Sequence, residues 1–159
     1  LALSAAFAPS PIEIGMAPKV NPDWGHRRSY VGLPIWMWVA NPSASSWGPT
    51  SWSGSTGGQT IDFVAQVSTV HWDMGDGAMV TCAQGTPYST AYGNRMSPSC
   101  GHKYTHVSAG QPGGMYAVTA TTNWTIAWTS RTTGETGTLT ASAVSSTEVE
   151  ILQLQSVNT

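Results

Sequence analysis

Apolar and polar residues alternate along most of this chain, which is the period-two signature of a half-buried β-strand. In Ser29 to Ala40, Val31, Leu33, Ile35, Met37 and Val39 share one face. Trp36 and Trp38 point the other way, so this strand is expected to be apolar on both sides. Thr60 to Val67 places Ile61, Phe63, Ala65 and Val67 together, and Val70 and Trp72 then fall in the opposite register. That change predicts a bulge or break at Ser68-Thr69. Ala78 to Cys82 reads as a short return strand. The clearest alternation is Met115 to Thr129: Tyr116, Val118, Ala120, Thr122, Trp124, Ile126 and Trp128 face one way, and Thr119, Thr121, Asn123, Thr125 and Thr129 the other. Its length exceeds the usual strand of about 5–6 residues, so a bend or a switch of sheet is expected midway. His102 to Val107, Leu139 to Val144 and Val149 to Val157 complete the set. Strands at regular turn spacing predict an all-β fold, a β-sandwich.

The connections carry signals of their own. Asp76-Gly77 lies between two β-rich runs and is a hairpin signal, because glycine accepts the positive φ of a tight turn. Trp72, just before it, is large enough to fill the middle of a small core. Asp73 and Asp76 are placed to accept hydrogen bonds from turn amides, and Gly75 and Gly77 to hold the turn. Residues 41–59 read as a turn-rich loop with Trp47 and Trp52, and Ala83 to Gly101 as a long loop. Residues 9–34 hold five prolines and read as an extended, irregular lead-in. Leu1 to Ala8 reads as a short helical end with Leu3 and Phe7 on one face, stopped before Pro9. The expected division is an N-terminal arm over 1–28 and a sandwich over 29–159. Such an apolar arm either folds back or contacts another chain; folding back is favoured for Val31 to Ala40, contact with another chain or an upstream region for Leu1 to Val20. Because the chain starts at Leu1 rather than Met, a processed product or a fragment is expected.

Composition narrows the function. The 159 residues suffice for one full-sized core. Only 9% of them are charged, against roughly 25% in an average globular chain, and Ser, Thr and Gly take over the solvent-facing role. A formal charge of −2 gives no field to attract nucleic acid or an anionic membrane. Of the six Lys and Arg, only Arg27 and Arg28 are adjacent, whereas a nucleic-acid binder clusters them. No apolar run approaches the ~20 residues of a membrane span. Cys82 and Cys100 could join His102 at a metal, but thiolate sites want closer Cys pairs or further partners. A disulfide is the favoured reading in a chain of exported, secreted character.

Specific chemistry finds little footing. Asp73 and Asp76 could serve calcium, but two carboxylates make a tight site only if backbone oxygens supply the rest; turn scaffolding is favoured, and no metal or cofactor is expected. His71, His102 and His106 combine freely with the many serines on paper, and that freedom makes such combinations uninformative. No G-x-S-x-G elbow occurs, and no catalytic residue is expected. Neither ATP nor GTP is expected to bind, because the Gly-rich stretch 54–58 lacks the lysine of a phosphate-cradling loop. Trp36, Trp38, Trp47 and Trp52 have two readings. They pack the lead-in onto the sandwich, or they form a contact surface for a sugar polymer or a protein.

Two passages together resemble the PKD-type (polycystic-kidney-disease repeat) domain. Trp72-Asp73-Met74-Gly75-Asp76-Gly77 looks like that family's W-D-F-G-D-G with Met for Phe. His102-Lys103-Tyr104, then Gly113-Gly114-Met115-Tyr116-Ala117-Val118, resemble its H-x-Y and G-x-Y-x-V. The match covers roughly residues 60–129. From Leu33 onwards the chain is also similar to a group of exported actinobacterial proteins, through WDMGDG, GTPYSTAYG, CGHKYT, SAGQPGG and YAVTAT. The resemblance implies an immunoglobulin-like sandwich used outside the cell as a spacer, an adhesion module or a contact for carbohydrate or protein. The expected function is a non-catalytic structural or interaction module of a cell-surface assembly, with protein partners favoured over glycan; the alternative is a carbohydrate-binding module using exposed tryptophans.

Overall fold

The structure, a computed structural model, describes residues 7–154. The chain is all-β. In order its strands are β1 (Glu13–Ala17), β2 (Arg27–Tyr30), β3 (Pro34–Ala40), β4 (Thr50–Thr56), β5 (Gln59–Asp73), β6 (Met79–Cys82), β7 (Gly101–Lys103), β8 (Tyr116–Ser130) and β9 (Thr136–Leu152). A small antiparallel sheet has the order β1-β3-β7, and a large one the order β2-β9-β8-β5-β4, with β6 also on β5. The outer edge of β5 is shared. Its first part, Gln59 to Ala65, pairs with β4, and its last, Val70 to Asp73, with β6. Between them the register against β8 shifts from Val67 to Val70, the irregularity anticipated at Ser68-Thr69.

The two sheets enclose one core. Met16 of β1 and Ile35, Met37 and Val39 of β3 meet Val70 and Trp72 of β5, Val118 and Ala120 of β8, and Val149 and Ile151 of β9. Trp72 is 0% exposed and sits among these side chains. Further along the same face of the large sheet a second cluster forms from Ile61, Phe63, Ala65, Val67, Trp124 and Ile126. The long alternation in β8 supplies both clusters. It does so without changing sheets, pairing with β5 and β9 over its length; the relief expected within β8 lies instead in the β5 irregularity.

Four sequence expectations are corrected. The lead-in is not irregular: β1 runs antiparallel to β3 from Glu13↔Ala40 to Ala17↔Trp36, and β2 runs parallel to β9. The boundary placed between 28 and 29 thus falls inside β2, and the part of Leu1 to Val20 that forms β1 packs on its own chain. Burial of Ile12 and Met16 explains the folding back. Next, the loop 41–59 contains β4, an edge strand whose Trp52 lies opposite Phe63. Third, Leu139 to Val144 and Val149 to Val157 belong to one strand as far as Leu152, since Ser145, Ser146 and Thr147 continue the ladder against Ala120, Thr119 and Val118. Finally, the strand read over His102 to Val107 shrinks to Gly101–Lys103. The helix read over Leu1 to Ala8 lies outside the described residues except at its last two positions.

Candidate functional site

The turn after Trp72 is held from within. Asp73 Oδ1 accepts the Gly75 N–H at 3.0 Å, Asp76 Oδ1 accepts the Ala78 N–H at 3.0 Å, and Met74 N–H donates to the Ala78 carbonyl at 3.0 Å. At Gly75 φ is +82°, and a Cβ there would lie 2.5 Å from the Ala117 carbonyl oxygen, so glycine is required twice over. The second oxygen of Asp76 meets His102 Nε2 at 2.7 Å. Tyr104 donates its hydroxyl to the Met74 carbonyl at 2.8 Å and stacks on Tyr116 at 4.6 Å. Burial, reinforced by the Asp76 charge, pushes the Tyr104 phenol far above its ordinary range, so it stays a neutral donor. The Trp72–Gly77 turn, the His102–Tyr104 run and Tyr116 therefore meet in space. Asp73, Asp76, His102 and Tyr104 bond to one another and to the backbone of the turn, while the buried Trp72 indole N–H has no partner. Among the described residues no three His, Cys, Asp or Glu side chains converge.

Cys82 and Cys100 are bonded, with Cα atoms 5.7 Å apart. The bond closes the loop 83–100 at its base, joining the end of β6 to the residue before β7, and backbone contacts lay the loop over the small sheet. Val39 N–H donates to the Gln84 carbonyl at 2.7 Å, Met37 N–H to Cys100 at 3.2 Å, and Gly85 bridges to Trp38. Trp36 lies beneath this loop. Its indole N–H donates to the Arg95 carbonyl at 2.8 Å, and Tyr88 and Tyr92 pack on its ring at 5.2 and 4.7 Å.

The four tryptophans proposed as a contact surface are thus separated. Trp36 is 1% exposed and belongs to the interior. Trp52 is stacked between Phe7 and Phe63, with ring centroids 4.9 and 5.0 Å away. Trp47 packs against both core clusters, and its carbonyl accepts the Val67 N–H at 2.9 Å beside the β5 irregularity. Trp38, half-buried, is the one of the four that lines two clefts. It sits opposite Gly15 in the ladder, where a Cβ would lie 2.0–2.4 Å from three atoms of the indole's five-membered ring. Near-equal distances to three ring atoms put the ring flat over the glycine, with its other face turned away from β1.

Around Trp38 runs a groove. A cleft of about 550 Å³ is bordered by Ala17, Pro18 and Lys19 from the end of β1 and by Tyr88, Ser89 and Thr90 from the disulfide loop, with Trp38 and Met16 completing it. A second cleft of about 410 Å³ shares Trp38 and adds Asn41, Gln84 and Pro87; a third of about 240 Å³ shares Pro18 and Tyr88 and adds Asn94. Shared walls join the three end to end. The β1 side is pinned by Arg27, which is buried and donates to the Met16 and Pro18 carbonyls at 3.0 and 2.7 Å and to Thr147 at 3.1 Å. Burial lowers its pKa from the ordinary arginine value. Sequence reasoning named Trp38 but missed the groove, because its walls come from a proline-rich stretch and a loop with no periodic pattern. It also passed over Trp24, 45% exposed with the Arg28 guanidinium 3.8 Å over its ring; a tryptophan in a Pro-Asp-Trp-Gly turn was the available signal.

No protein-family model, curated protein or solved structure matches the chain. No helix among the described residues is long and apolar enough to cross a membrane.

Proposed function

We propose that the protein is a non-catalytic extracellular interaction module, a subunit or spacer of a cell-surface assembly that joins other chains by strand addition. The observation that carries this reading is the outer edge of β9. β2 covers only Val149–Leu152 there, and among the described residues no strand pairs with Thr136–Glu148 on that side. From Thr136 to Thr147 the sequence holds no charged residue and no proline, and its ladder to β8 runs without a register shift. Natural monomers blunt such edges with lysine, proline, bulges or short length. A strand laid along this one would satisfy unpaired backbone groups and bury Val144, which is 54% exposed.

An exported location is supported by the disulfide and by the low charge content. The likeness of its turn and tyrosine passages to PKD-type domains supports the same role. Light scattering and sizing of the full chain test the proposal in its self-association form. The wild type is expected to associate with rising concentration, and the double substitution Thr140→Lys/Val144→Lys to restore the monomer without altering Tm. A wild type that stays monomeric at every concentration, indistinguishable from the lysine variant, would remove the support that β9 gives.

A further inference from the structure

From the groove around Trp38 we infer a binding site for a neutral, pyranose-based polysaccharide chain. Three observations lead there. The first is a prepared aromatic platform: Gly15 lets the indole lie down on β1, leaving one π-face for a ligand. That face carries negative potential, and the C–H groups on one side of a pyranose ring are weakly positive, so the two pack flat against each other. The second is the chemistry of the walls. Ser89, Thr90, Gln84, Asn41 and Asn94 bring hydroxyls and amides, which donate and accept as sugar hydroxyls do. Lys19 is the single charged side chain in all three clefts, so nothing there is built for a polyanion. The third is shape. Joined clefts on either side of the platform admit a chain running past it, where a closed pocket would take only a small molecule.

The site is also held in place before any ligand arrives. The disulfide and the Gln84 and Cys100 carbonyls fix the loop wall, and the buried Arg27 fixes the β1 wall at Met16 and Pro18. Such preorganisation reduces the entropy lost on binding. The site shares no residue with the β9 edge, so the two proposals stand or fall separately.

Calorimetry of the full, oxidised chain with soluble oligosaccharides of glucose, xylose and N-acetylglucosamine tests this, alongside affinity electrophoresis in gels carrying the matching polymers. One of the neutral series is expected to bind. Trp38→Ala should weaken binding by about tenfold or more, as loss of a central aromatic contact does, and Trp38→Tyr should restore part of it. Because Trp38→Ala could disturb β1, the exposed pair Gln84→Ala/Thr90→Ala provides a second reading: weaker binding with Tm unchanged. Trp24→Ala, outside the groove, should leave affinity as it was. The inference is overturned if no neutral oligosaccharide binds, if an anionic polymer binds in preference, or if affinity survives both groove variants.

Discussion

The three long strands β5, β8 and β9 carry two cores on one face, and the two are closed in different ways. Near Trp72 a second sheet provides the lid, and residues of every size fit between the layers, from Ala120 to the stacked Tyr104 and Tyr116. Beyond the β5 irregularity no second sheet follows among the described residues. There the lid is made of rings: Trp52 stacked between Phe7 and Phe63, and Trp128 lying on Gly137, where a Cβ would be 2.6 Å from three indole atoms. A face without a facing layer must be shielded by its own side chains, and large flat rings cover the most area per residue. This is where many of the chain's eight tryptophans are used. The Gly15–Trp38 pair repeats the device on the small sheet, but there it leaves a ring face open to the groove.

The largest expected effect falls on the layered core. Trp72→Ala should cost about 3–5 kcal/mol, the range for truncating a buried aromatic, because two packed sheets cannot collapse into the space. Chemical denaturation reads the loss directly, and an unchanged midpoint would show that Trp72 is not what the layers pack on. Opening the disulfide comes next. Cys82→Ser/Cys100→Ser frees a loop closed across a separation of 18 residues, worth about 3 kcal/mol, chiefly through the unfolded chain. It should also loosen the cover over Trp36, visible as faster hydrogen exchange at Met37 and Val39, which donate to Cys100 and Gln84.

For the ring-covered core, Trp52→Ala should cost less, ~1–2 kcal/mol. Trp52 is half-buried on an edge strand, and water replaces it without leaving a closed cavity. Comparing its denaturation midpoint with that of Trp72→Ala measures the difference between the two kinds of lid. Equal losses would mean that the far half is sealed as tightly as the near one.

What the sequence disclosed follows the same division. The layered half was legible: the bulge in β5, the Asp76-Gly77 hairpin, the alternation of β8 and the cysteine pair all rest on local chemistry that one stretch of chain displays by itself. The edges were not. β4 is Ser, Thr and Gly around a lone tryptophan and has almost no apolar face to reveal it. β2, Arg-Arg-Ser-Tyr, becomes a strand only through a parallel partner more than a hundred residues away. β9 looked like two strands because Ser145 to Thr147 break the apolar pattern, yet a ladder needs backbone pairing and tolerates those residues. For the site, Trp38 was among the named residues, but nothing local separates it from Trp36, two positions earlier on the same strand face. Their different fates depend on where the loop 83–100 lies.

The smallest expected effect is on the polar face of the ring-covered half, where Asp62 and Arg131 meet. Arg131 donates two hydrogen bonds, Nε to Oδ2 at 2.8 Å and Nη2 to Oδ1 at 2.7 Å, and Ser53 adds a third to Oδ1 at 2.5 Å. These bonds, that from Arg131 foremost, hold the Asp62 carboxyl down at about 2. A carboxylate depressed in the fold contributes stability above its unfolded pKa, near 4, and loses it as pH falls from there through about 2. Arg131 is largely exposed and Asp62 partly so, at 61% and 39%, so solvent and salt screen the pair. Arg131→Ala should therefore lower Tm by less than Trp72→Ala, the paired cysteine substitutions or Trp52→Ala. The gap from wild type should be widest at neutral pH and low salt, and close both on acidification from pH 4 to 2 and on adding salt. A gap that stayed constant through that acid range would assign the loss to packing of the arginine stem against its neighbours instead of to the charge pair.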